Sequence, residues 1–243
     1  QGEDIWVAGD MAVRRFNKGR KGESFDVPGA AQAVGANPSG KLFATVEDRV
    51  IDLSSGKASA WDSLGPRARL VEIAVTDSEV LVADAGNRCI HRFDHSGKAV
   101  GRLGQRDDAN GYVGLIVPSP YLGLALMPDG QVALCNPGRH AIEFHDLEKG
   151  LLERHGTVSQ SMKDFCGCCN PMALTVLPNG DIVTAEKGIP RVKVVDRQAK
   201  FKTVVANPDL FDPKTTGLEL AVLGEKVLVL DPWKGGVRTF VPI

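Results

Sequence analysis

Three of the five cysteines in this 243-residue chain stand within four positions, Cys166, Cys168 and Cys169 in the stretch DFCGCCNPMAL at 164–174. Thiolates packed this densely suit three chemistries. With a fourth sulfur they have the number and softness for an iron–sulfur cluster or a closed zinc site. Without metal, Cys168 and Cys169 can close a vicinal disulfide that forms a hard lip over a ligand site, or Cys166 and Cys169 can form a redox pair. The plain alternative is a tight loop of small residues. C-x-C-C is not the C-x₂-C spacing of a zinc knuckle, and side chains of adjacent cysteines tend to diverge. Gly167 frees the backbone to turn between thiols, and Asn170–Pro171 ends the loop ahead of an apolar run.

The elements that must position this loop are repeats. An apolar segment, a turn and a second β-rich segment recur as AVGANPSGKLFATVE (33–47), IAVTDSEVLVADA (73–85), LALMPDGQVALCNP (124–137), LTVLPNGDIVTAEK (174–187) and LAVLGEKVLVLDP (220–232). PSG, PDG and PNG are turn signals between alternating apolar runs. DIWVAGD (4–10) opens a sixth copy without a first segment. Second segments start near Ile5, Leu42, Val80, Val132, Ile182 and Val227, at spacings of 37, 38, 52, 50 and 45. Third segments follow (AVRRFN, RVIDLS, CIHRFD, AIEFHD, RVKVVD, GVRTFVP), and fourth ones in all but the last. Four strands about every 40 residues is the mark of a β-propeller blade. The reading is an all-β six-bladed propeller of four-stranded antiparallel blades, a single domain over 1–243. Its terminal blades are incomplete: the first lacks its innermost strand and the last its outermost. The expectation is that residues upstream of Gln1 complete the structure.

Residues 71–104, VEIAVTDSEVLVADAGNRCIHRFDHSGKAVGRLG, resemble the NHL-repeat family of six-bladed propellers through Asp84, Gly86, Asn87, Arg88, Ile90 and Phe93. Residues 178–196 resemble a looser copy, and the FCGCCNP loop is similar to loops of secreted bacterial NHL proteins. The resemblance spans nearly the whole chain and implies the fold. It does not select a function, because the family includes lyases, RNA binders and protein-interaction platforms. Its amidating lyases hold zinc with histidines, a pattern that the histidines here do not match residue by residue.

In a propeller, the loop leading into an inner strand and the loop joining strands two and three share one face. That places Cys135, in CNPGRH (135–140), within reach of Cys166, Cys168 and Cys169 near the mouth of the central channel. The column of Cys135 (Ala8, Thr45, Ala83, Cys135, Ala185, Leu230) is also a packed, mostly small position where a buried cysteine is ordinary. His140, in the same joining loop, is a candidate extra ligand or acid–base group. Arg139, Lys187 and Arg191, with Arg88, put cations on that face beside an acidic column of Asp84, Glu186 and Asp231, with Asn136 at the matching position. These charges read as pairs across neighbouring blades, or as an anion pocket. Cys89 reads as core, and His91 and His145 as surface or inter-blade residues.

Lys plus Arg is 29 and Asp plus Glu 30, a net charge of −1. Without a basic stripe bearing aromatics, nucleic acid is not an expected partner, and no apolar run reaches membrane-spanning length. The expected function is a binding or electron-transfer module with an iron–sulfur or zinc site on Cys135, Cys166, Cys168 and Cys169. It would face a redox partner or another docking protein and work in the periplasm or outside the cell. The alternatives are a lyase or hydrolase acting at the channel mouth with His140, and a metal-free interaction platform.

Overall fold

A computed structural model describes residues 4–241. The fold is an all-β six-bladed propeller whose blades have three or four antiparallel strands. Contacts divide the chain into two compact units, Gln1–Gln105 and Arg106–Ile243, with three blades each.

In the first unit, blade one holds β1 (Asp4–Gly9), β2 (Ala12–Asn17) and β3 (Arg20–Asp26). Blade two holds β4 (Ala31–Ala36), β5 (Leu42–Val46), β6 (Arg49–Asp52) and the two-residue β7 (Ser59–Ala60). Blade three holds β8 (Leu70–Val75), β9 (Glu79–Asp84), β10 (Cys89–Asp94) and β11 (Ala99–Leu103). In the second unit, blade four holds β12 (Leu124–Leu126), β13 (Val132–Asn136), β14 (Ala141–Asp146) and β15 (Gly150–His155). Blade five holds β16 (Ala173–Val176), β17 (Ile182–Glu186), β18 (Arg191–Val195) and β19 (Phe201–Ala206). Blade six holds β20 (Glu219–Leu223), β21 (Lys226–Asp231) and β22 (Gly236–Phe240). Every predicted second strand is present, and the three-stranded blades are the first and the last. Three short 3₁₀ turns are the only helical segments among the described residues, so none is long and apolar enough to cross a membrane.

Burial follows strand position. All residues of β13, β17 and β18 are buried, because the middle strands of a blade are covered on both faces. The outer strands β11, β15 and β19 are exposed or half-buried apart from Leu103 and Ala206. Blades four and five share an apolar cluster of Met127, Ala133, Cys135, Ile142, Phe144, Phe165, Leu174, Ile182 and Val195.

In blades three, five and six the second strand ends in a buried carboxylate. Asp84 meets His91 at 3.0 Å, Glu186 meets Arg191 and Lys193 at 2.9 Å each, and Asp231 meets Arg238 at 3.3 Å. These contacts lie within single blades, on the second and third strands, rather than across neighbouring blades as the sequence suggested. Blade four inverts the pattern. Asn136 takes the acid's place and donates to Glu143, on the third strand, at 2.8 Å. Tyr112 donates to the same carboxylate at 2.7 Å, and His145 lies 3.2 Å from it. His91 and His145 are therefore buried carboxylate partners, not surface residues.

Candidate functional site: the thiol loop of blade five

The blade spacings of 52 and 50 contain two long connections, 104–123 ahead of β12 and 156–172 ahead of β16. The second carries the three cysteines. A backbone this long needs partners for its polar groups, and the buried charges of blade five supply them. Lys193 donates to the carbonyls of Met162 and Asp164 at 3.1 and 2.5 Å. Arg191 donates to those of Ser161 and Asp164 at 3.0 and 2.8 Å. Glu186 accepts the Cys166 N–H at 2.7 Å. The Lys193 ammonium also lies 4.6 Å from the centre of the Phe165 ring, which plugs the apolar cluster. Arg191, predicted as an accessory to the site, is thus part of the anchor. Lys193 is 0 % exposed, and burial lowers its pKa despite the Glu186 charge beside it.

Asn170 fixes the other end. Its amide donates to the Cys166 carbonyl at 2.7 Å and to the Lys187 carbonyl at 2.9 Å, and its Oδ1 accepts the Lys187 N–H at 2.9 Å. One side chain therefore ties the thiol loop to the turn between β17 and β18. Gly167 turns the loop with φ +71°, as expected of that glycine. His140 reaches it from blade four, its Nε2–H donating to the Gly167 carbonyl at 2.8 Å.

The cysteines separate into three environments. Cys166 is buried, and burial and the Glu186 charge raise its pKa. Cys168 is exposed and Cys169 buried, with their sulfurs 3.2 Å apart. Burial opposes ionisation of Cys169, but hydrogen bonds from Lys187, Ser119 and Cys168 outweigh it and lower its pKa. The Ser119 hydroxyl lies 3.6 Å from the Cys169 sulfur and accepts from the Lys187 ammonium at 2.7 Å. The Tyr121 ring lies 4.9 Å from that ammonium. Cys168 moves the opposite way: its hydrogen bond to Cys169 and the charge there raise its pKa. The opposite directions share one cause: the hydrogen bond between the two sulfurs, with Lys187 beside it, favours ionisation of Cys169 over that of Cys168.

Cys135 belongs to the apolar cluster at 0 % exposure. Gly123 makes room for it, since a Cβ at Gly123 would come 2.9 Å from the Cys135 sulfur and 2.8 Å from the Leu174 nitrogen. Among the described residues, no group of three or more His, Cys, Asp or Glu is arranged to hold a metal ion. Arg139 has its Nε buried without a partner among the described residues. Sequence reasoning missed Ser119 and Tyr121. The one signal for them was the 52-residue spacing, which marks extra chain ahead of β12.

No family model and no curated protein sequence matches this chain. Solved structures do. A catalytically inactive virginiamycin B lyase from Staphylococcus aureus, bound to quinupristin, aligns with a TM-score of 0.69 at 13 % identity over 99 % of this chain and 77 % of that one. A luciferin-regenerating enzyme gives 0.68 at 13 % identity over 100 % and 88 %. A gluconolactonase from Xanthomonas campestris gives 0.67 at 14 % identity over 96 % and 79 %. At these identities the likeness is one of fold.

Proposed function

We propose that this protein is an NHL-like propeller acting as a thiol–disulfide binding and electron-transfer module, with Cys168 and Cys169 as its working pair. The observation that carries this reading is the 3.2 Å separation of their sulfurs beside the Lys187–Ser119 hydrogen bond. Disulfide closure needs about 2.05 Å, so the sulfurs have roughly 1 Å to travel. A vicinal pair transfers two electrons without metal and changes the loop from a polar, ionisable lip to a neutral one. In an oxidising compartment outside the cytoplasm it would rest closed, and in the cytosol open. A metal or iron–sulfur centre on Cys135, Cys166, Cys168 and Cys169 is the competing form of the same reading. Its fourth thiol, Cys135, would have to reach the loop from the apolar cluster in which it packs.

Redox titration of anaerobically purified protein tests the proposal, with peptide mapping and elemental analysis in parallel. The expected result is reversible loss of two thiols together, a Cys168–Cys169 link, and less than stoichiometric iron or zinc. Stoichiometric metal, or absorbance near ~400 nm from iron–sulfur charge transfer, would replace it with the metal reading. A second reading rests on the Lys187–Ser119 hydrogen bond, since serine–lysine pairs serve as nucleophile and base in some hydrolases. The lyase and the gluconolactonase among the fold neighbours make lactone opening and elimination the reactions to assay. Turnover lost in Ser119→Ala but kept in Cys169→Ala would favour it.

A further inference from the structure

We infer that the two thiols divide one reaction with a substrate disulfide: exposed Cys168 takes up the substrate sulfur, and Cys169, held by Ser119 and Lys187, expels it. This rests on the thiol–disulfide reading above and adds the order of events, the substrate class and the residues that set the direction.

Access decides the first step. A disulfide must be approached along its S–S axis by a thiolate that can reach it. Cys168 is the exposed member of the pair, whereas the Cys169 side chain lies under the loop, 3 % exposed. The Cys168 proton has an acceptor at hand in Cys169, 3.2 Å away. As Cys168 attacks R–S–S–R, its proton passes to the Cys169 sulfur, the Cys168–S–R bond forms and RS⁻ departs. That RS⁻ takes the proton from Cys169 and leaves as RSH. The Cys169 thiolate then attacks the Cys168 sulfur, forms the Cys168–Cys169 bond and releases the second RS⁻. The dithiol loses two electrons and the substrate disulfide gains them, so no further oxidant is required.

Geometry assigns the second step to Cys169. Ser119 donates toward its sulfur, and Lys187 donates to Ser119 and lies beside the same sulfur. Both donors favour the thiolate over the thiol. The Asn170 clamp keeps Lys187 and the loop together. Lys187 and Ser119 are therefore positioning residues for the resolving thiolate. Cys89 and Cys135, each no more than 1 % exposed, are shielded from the same reagent.

The experiment uses the whole protein, reduced, with oxidised glutathione as the probe and peptide mass analysis as the readout. Wild type should end as the Cys168–Cys169 disulfide with two thiols released. Cys169→Ser should hold a persistent glutathione adduct on Cys168, and Cys168→Ser should hold none on Cys169. Lys187→Met should slow closure about tenfold at neutral pH and move its pH midpoint upward, with Lys187→Arg restoring both, since a tenfold change corresponds to one unit of thiol pKa. An adduct on Cys169 in the Cys168→Ser protein would reverse the assignment. So would wild-type closure without an adduct on Cys168 in Cys169→Ser. A wild-type pair that never closes under any oxidant would instead remove the thiol–disulfide reading itself.

Discussion

Blade three and blade five each bury a cysteine beside an ionised side chain, and the two thiols are pushed in opposite directions. Cys89 starts β10 with its sulfur 3.7 Å from His91 Nε2, and His91 in turn meets Asp84. Burial and the Asp84 charge push the Cys89 thiol up to about 11. Cys169 is also penalised by burial, yet Lys187, Ser119 and Cys168 bring it below the ordinary thiol value. The comparison teaches that burial alone does not make a thiol inert. Its nearest formal charge decides: a carboxylate in blade three, an ammonium in blade five.

The largest test of this contrast removes the charge that builds the blade-five loop. Glu186→Ala strands Arg191 and Lys193 in the interior and should cost about 3–5 kcal/mol, the usual penalty for breaking a buried ion pair. Urea denaturation measures it, and Glu186→Gln should cost less by keeping one of the two acceptor oxygens. A loss under about 1 kcal/mol would mean that the loop is held by packing instead.

Asp84 sharpens the blade-three side. Burial alone would raise its pKa. Hydrogen bonds from His91, the Arg69 N–H and Asn87 reverse that and lower it to about 2 from 3.8. A depressed carboxylate stabilises the fold fully above its unfolded value and loses that contribution as pH falls. About 2 kcal/mol should therefore disappear between pH ~4 and pH ~2, read from urea midpoints across that range. Asp84→Asn should flatten this acid limb; an unchanged limb would locate the linkage elsewhere.

Lys187→Met breaks the blade-five side. The Cys168–Cys169 pair should lose its first proton at higher pH, so iodoacetamide labelling at neutral pH should fall about tenfold. Cys89 should stay unlabelled in both proteins. Equal labelling with and without Lys187 would show that the ammonium does not set the thiolate.

Smaller still is Cys135→Ala. Cys135 fills a corner made by Gly123, and its loss should cost about 1 kcal/mol while redox closure of Cys168 and Cys169 is unchanged. Loss of bound metal in this variant would favour the four-thiol site instead.

The sequence made the fold legible because the propeller repeats one strand pattern. Starts expected near Ile5, Leu42, Val80, Val132, Ile182 and Val227 fall at or within one residue of the starts of β1, β5, β9, β13, β17 and β21. The site was legible only where its chemistry is local. Cys166, Cys168, Cys169, Gly167 and Asn170 share one loop, and Lys187 sat in a recognisable joining turn. Ser119 is 50 residues from the sulfur that it faces, in a connection with no periodicity, so nothing local announced it. His91 and His145 read as surface or inter-blade residues because a strand pattern gives the face of a side chain but not the carboxylate within its own blade that makes its burial tolerable.

If the proposed thiol closure occurs, the Asn170 clamp would make the blade a reporter of it. Its side chain bonds both the carbonyl of Cys166 and the amide of Lys187. Closing Cys168 onto Cys169 pulls on the loop within two residues of that bridge, and the pull arrives at a backbone N–H on another turn. In a ¹⁵N-labelled sample the Lys187 amide is therefore the resonance to watch. Its shift and solvent-exchange rate should follow the proposed closure although it carries no sulfur, so the chemistry could be monitored without a label on either cysteine.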